Sequence, residues 1–85
     1  MSEVRVGVVF KFFAKPMVAA LELEDSLRVG DRIHFLGQTT DFAQSVESMQ
    51  VEMNSVEEAG GGDNVGVKVN ARVRPGDRVY KVVSE

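Results

Sequence analysis

The sequence contains no cysteine and only one histidine, His34. Without cysteine there is neither a disulfide nor a thiolate metal site, so the fold must stand on packing alone. A lone histidine excludes a His-based metal cluster. Long hydrophobic runs are also missing. The most apolar stretch, Val6 to Ala20, is broken by Lys11, Lys15 and Pro16. The runs that remain are shorter than the ~7–15 residues of a signal-peptide core and far short of the ~20 of a membrane span. The chain therefore reads as mature, soluble and without membrane contact, and its lack of cysteine suits the cytoplasm. There is no G-x-x-x-x-G-K-[ST] phosphate loop, which argues against GTP binding by this chain alone. No cofactor is implied.

What is present fits one small domain spanning 1–85. With 85 residues, 44% hydrophobic and 27% charged, the chain can build one compact core, burying about 60–65% of its unfolded surface. Its net charge of −3 gives no bulk attraction to nucleic acid. The charge is unevenly spread, however. Asp41, Glu47, Glu52, Glu57, Glu58 and Asp63 occupy a segment with no Lys or Arg, whereas Lys68, Arg72, Arg74, Arg78 and Lys81 follow with Asp77 as the one acid among them.

Alternation with a period of two dominates the chain. Val4, Val6, Val8, Phe10 and Phe12 predict a first strand, in which Gly7 marks a bend or a close backbone approach. After a turn at Ala14-Lys15-Pro16, Met17, Ala19, Leu21 and Leu23 predict a second strand, hairpinned to the first. A third runs from Arg32 to Leu36, with Ile33 and Phe35 inward. The fourth, Phe42 to Val51, changes phase between Val46 and Met49, which predicts a β-bulge near Glu47-Ser48. Ser55 and Glu58 have capping-box spacing and predict one helical turn within Asn54 to Ala59, ended by Gly60-Gly61-Gly62. Val65, Val67 and Val69 mark a fifth strand, and Val79 to Val83 a sixth. Between these two, Arg74-Pro75-Gly76-Asp77 is a turn with Pro at its second place and Gly at its third. Val29-Gly30-Asp31-Arg32-Ile33 is echoed by Pro75-Gly76-Asp77-Arg78-Val79. Short strands at regular spacing predict an all-β fold, a closed, mainly antiparallel six-stranded barrel.

Gly30-Asp31-Arg32-Ile33, Thr39 to Glu52, Val56-Glu57-Glu58-Ala59, Gly62-Asp63-Asn64-Val65-Gly66-Val67 and Pro75 to Tyr80 follow one another in an order that resembles the small translation elongation factor-like proteins. It is also similar to a domain appended to collagenase-type peptidases and, more distantly, to domain 2 of translational GTPases such as elongation factor Tu. The resemblance implies a six-stranded barrel of the domain 2 type. It also implies a translation factor-like binding module that contacts tRNA or the ribosome without GTPase activity. The alternative is a protein-interaction barrel, a detached accessory domain of a larger enzyme.

Two sets of residues serve these readings. Lys68, Arg72, Arg74, Arg78 and Lys81 are the candidates for RNA or phosphate contact, since Arg grips phosphate bidentately. Asp41, Glu47, Glu52, Glu57 and Glu58 are the candidates for docking a larger protein. Phe10, Phe12, Phe13 and Phe35 could stack bases, but a small barrel needs its aromatics inside, so core is the stronger reading. Met49 and Met53 read as core and gap-filling residues. No catalytic set emerges. His34 has no Cys, Ser or Asp at a motif spacing, and no Ser stands in a G-x-S-x-G elbow. The expected chain is not an enzyme.

Overall fold

The computed structural model describes residues 2–83. Ten strands and no helix appear among them, in the order β1 Ser2–Phe13, β2 Val18–Leu23, β3 Leu27–Arg28, β4 Arg32–Leu36, β5 Asp41–Ser45, β6 Met49–Val51, β7 Asn54–Val56, β8 Glu58–Ala59, β9 Asn64–Lys68 and β10 Arg78–Val83. Eight of them form one sheet, ordered β5-β4-β10-β1-β2-β9-β6-β7, and β3 pairs with β8 in a second sheet of two strands. Every pairing is antiparallel.

β1 is the spine. It pairs with β10 along its first part and with β2 along its second, in the expected hairpin. Each ladder slips by one residue, between Arg5 and Gly7 against β10 and between Val9 and Lys11 against β2. These bulges turn the strand over, so the simple alternation expected from Val4 to Phe12 fails. Val6 and Val9 are both buried, while Val4 and Phe10 are exposed. Gly7 does make the expected close approach: a Cβ there would lie 2.6 Å from the Glu22 carbonyl oxygen.

The expected closed barrel is not formed. The large sheet is open and ends at β5 and β7, which do not pair with each other. The cause lies where a continuous fourth strand with a bulge was expected. The phase change is real, but the chain leaves the ladder there. Val46 donates its N–H to Asp31 O (2.8 Å) and accepts from Gly30 N (2.8 Å) instead of extending β5. β5 thus stays with β4, and β6 starts a new ladder with β9 and β7. The helical turn expected within Asn54 to Ala59 is absent as well. Those residues form β7 and β8, because pairing with Met49–Val51 and with Leu27–Arg28 satisfies their backbone better than one isolated turn would.

Three turns share one construction. Arg28–Asp31, Gly60–Asp63 and Arg74–Asp77 each place a glycine with φ near +95° at the third position (Gly30 98°, Gly62 92°, Gly76 96°). The aspartate N–H closes each turn onto the first carbonyl (3.1 Å in all three). Its carboxylate then accepts from the first N–H, at 2.9 Å from Arg28, 3.0 Å from Gly60 and 2.8 Å from Arg74. Two residues after each glycine-aspartate pair's glycine-plus-one position comes a buried aliphatic side chain, Ile33, Val65 or Val79. The core is built from these three with Val6, Val9, Leu21, Leu23, Leu27, Phe35, Met49 and Val67.

Candidate functional site

Arg74 and Arg78 meet in one cleft. The Arg74–Asp77 turn puts Arg74 at its start, and Arg78 opens β10 on the outer face, opposite Leu36 and Val8. With Gly37, Gln38 and Thr39 from the turn after β4, they line a space of about 340 Å³. Neither guanidinium has an ion-pair partner among the described residues. Asp77 also lines the cleft, buried, with one carboxylate oxygen held by Arg74 N. The rest of the basic set is dispersed. Lys68 lies on β9 opposite Val18, while Arg72 is exposed in the loop after β9. Lys81 shares its phase along β10 with the buried Val79, and its ammonium donates to Ser26 O at 3.2 Å.

The acidic set is dispersed too. Asp41 contacts His34, Glu58 pairs with Arg28 at 3.4 Å on an exposed surface, and Glu47 and Glu57 are exposed in connections between strands. Glu52 alone lines a second cleft, of about 240 Å³, with Phe10, Phe13, Val18, Ala20, Gln50, Met53, Asn64, Val65 and Gly66. The aromatics divide accordingly. Phe35 is core and stacks on Phe42 (5.1 Å between centroids), Phe12 packs against the core, and Phe10 and Phe13 are exposed. Met49 is core as expected, but Met53 is 92% exposed.

His34 lies on the outer face of β4, where the sheet gathers Glu3 of β1 and Asp41 of β5 around it. Its Nε2 is 2.6 Å from Asp41 Oδ1, and its Nδ1 is 3.0 Å from Glu3 Oε2. A carboxylate on each ring nitrogen suits the imidazolium, in which both nitrogens donate. The bond to Asp41 is the main cause that raises the pKa above 6.5. Partial burial opposes it, and Glu3 adds to it. No nucleophile stands beside this ring in the contacts it makes. Among the described residues no group of three or more His, Cys, Asp or Glu side chains is placed to hold a metal ion. Nor is any helix long and apolar enough to cross a membrane. Sequence reading missed Glu3 as a partner of His34, and nothing in a spacing of 31 residues signals it.

These features define a small all-β domain with surface clefts and an open sheet. No family model matches it. The chain is 44% identical over 79 residues to an uncharacterized protease of Methanocaldococcus jannaschii, covering 92% of this chain and 19% of that protein. It is 36% identical over 81 residues to a collagenase of Porphyromonas gingivalis, covering 93% of this chain and 20% of the collagenase. The chain thus spans about a fifth of the length of these curated relatives. Among solved structures, its fold matches the C-terminal domain of a Geobacillus thermoleovorans protein assigned to the U32 peptidases. The selenomethionine form gives a TM-score of 0.87 at 23% identity, covering 92% of this chain and 99% of that domain. The other crystal structure of the same domain gives 0.86. The likeness to a domain of collagenase-type peptidases is therefore shown, and these relatives lend no support to a translation-factor link.

Proposed function

We propose that this chain is an accessory binding domain of the kind carried by U32 and collagenase-type peptidases, and that it works beside a catalytic unit without supplying the chemistry. The alignment carries this reading: nearly the whole chain matches about a fifth of two peptidases, and its fold matches a C-terminal domain excised from a third such protein. The surfaces agree with a binding role. They offer shallow clefts and exposed apolar side chains, with no nucleophile and base in hydrogen-bond contact around His34.

The test uses the Porphyromonas gingivalis collagenase with its matched segment deleted. This chain, added in trans, should associate with the truncated protein in sedimentation and restore peptide binding to it. No association at about 100 μM, a concentration at which even weak contacts populate, counts against the reading. The RNA reading retains one observation, the convergence of Arg74 and Arg78 in one cleft. Binding of tRNA that weakens with salt and is lost in Arg74→Ala and Arg78→Ala would favour it instead.

A further inference from the structure

The cleft lined by Phe10, Phe13 and Met53 crosses the outer face of four adjacent strands, β1, β2, β9 and β6. Its floor holds Val18, Ala20 and Gly66, with Val18 Cγ1 3.3 Å from where a Cβ on Gly66 would lie. Ala20 of β2 and Gly66 of β9 are direct ladder partners, and Gly66 also faces Gln50 of β6. Phe10 and Phe13 rise on the β1 side, while Gln50, Glu52 and Met53 rise on the β6 side. Among the described residues five large hydrophobic side chains are exposed, and three of them, Phe10, Phe13 and Met53, stand around one groove, so their exposure is not scattered.

The wall at Met53 is held there against local preference. Glu52 (φ 50°) and Met53 (φ 67°) are the two central residues of the β6–β7 hairpin. A tight turn with φ > 0 at both places favours Asn, Asp and Gly. Filling it with Glu and Met costs backbone energy and places the thioether in water. Methionine at an exposed rim suits a surface that adapts to apolar ligands, and violations of a local rule concentrate at functional sites.

Charge selects the occupant. Glu52 lines the groove, and Glu22 projects from the same face one ladder step away, opposite Asn64 and Val8. Neither carboxylate has an ion-pair partner among the described residues. Two bases stand at the opposite end of the floor from these carboxylates: Lys11, which already lies over the Phe13 ring at 5.1 Å, and Lys68, in the same phase of β9 as Gly66 and opposite Val18.

We propose that this groove binds an extended polypeptide segment, seating one large apolar side chain over Ala20 and Gly66 with a Lys or Arg beside it facing Glu52 and Glu22. The choice of a polypeptide over other polymers rests on the accessory-domain reading. The apolar and acidic character of the groove does not.

The probe is a capped, otherwise glycine-rich peptide with a central phenylalanine between two lysines, titrated into the isotope-labelled full chain and followed by amide NMR shifts. Saturable shifts are expected at Ala20 and Gly66. Affinity should fall about tenfold or more, ~1.4 kcal/mol, when the peptide's phenylalanine becomes glycine or its lysines become glutamates. Met53→Ser, at a site too exposed to threaten folding, should weaken binding likewise, and Glu22→Lys with Glu52→Lys should reverse the charge preference. The proposal is overturned if millimolar peptide leaves Ala20 and Gly66 unshifted, or if the glutamate-flanked peptide binds equally well. It is also overturned if shifts at these residues follow protein concentration alone, which would make a second copy the occupant, or appear with tRNA and not with peptide. Peptide binding does not involve the collagenase, so this result and association with the truncated collagenase can fail separately.

Discussion

His34 shows how a single residue takes its chemistry from neighbours distant in sequence. Glu3 and Asp41 reach it from β1 and β5, at 3.0 and 2.6 Å, and the contact to Asp41 is the main reason its pKa lies above 6.5. A raised folded-state pKa means that the folded protein binds this proton more tightly than the unfolded chain. The stabilisation is therefore fully present below pH 6.5, and it is lost as pH rises through the folded pKa. Both carboxylates are substantially exposed, so solvent and salt screen the effect. Thermal unfolding of the wild type and His34→Gln, compared from about pH 6 to about pH 9, should show an advantage of the wild type that shrinks as pH increases. An advantage unchanged over that range would show that the imidazolium does not stabilise the fold. The sequence placed His34 on the face opposite Ile33 and Phe35, and there it lies. Its partner Glu3 was hidden, because the placement of β1 relative to β4, across β10, is not written in the local pattern.

The β6–β7 hairpin is the element the sequence concealed most fully. A two-residue hairpin announces itself through Asn-Gly or its kin, and Glu52-Met53 gives no such signal. The capping-box spacing of Ser55 and Glu58 then pointed to helix, and tertiary pairing overrode it. Elsewhere the signals were plain. Ala19, Leu21 and Leu23 alternate inward, as do Ile33 with Phe35 and Val65 with Val67 and Val69. The glycine-aspartate echo was legible at Asp31 and Asp77, but its third copy at Asp63 was masked by the run Gly60-Gly61-Gly62. If the turn at Glu52-Met53 is strained for the sake of the groove, relieving it should stabilise the fold and harm the groove together. Glu52→Asn with Met53→Gly should raise stability by about 1 kcal/mol or more, since each non-glycine residue in that region costs ~1–3 kcal/mol. The urea midpoint measures this at constant slope. A lowered midpoint would show that Glu and Met are not strained there.

At the scale of the whole molecule, the question is what holds an open sheet together across its gap. Alternation and turns look the same in an open sheet and a closed barrel, so the sequence could announce short antiparallel strands without showing that one ladder is missing. The gap between β5 and the end of β9 is bridged by a side chain. Gln44, 4% exposed, donates from Nε2 to Lys68 O at 2.8 Å and accepts at Oε1 from Asn70 N at 2.7 Å. One amide thus stands in for two rungs of a ladder, and it uses a polar residue in a phase shared with the buried Val46. Removing it leaves a buried carbonyl and N–H without their partner, at a cost of about 1–3 kcal/mol. The loss should be local before it is global, because β5 has no other strand on that side. In Gln44→Ala, hydrogen exchange should quicken most in Asp41–Ser45 and near Asn70, with β1 and β2 following only the global change in stability. Gln44→Glu should destabilise as well: at neutral pH its carboxylate can accept from Asn70 N but cannot donate to Lys68 O. Uniformly faster exchange throughout the sheet, or no change near Asn70, would show that the bridge does not hold the two sides together.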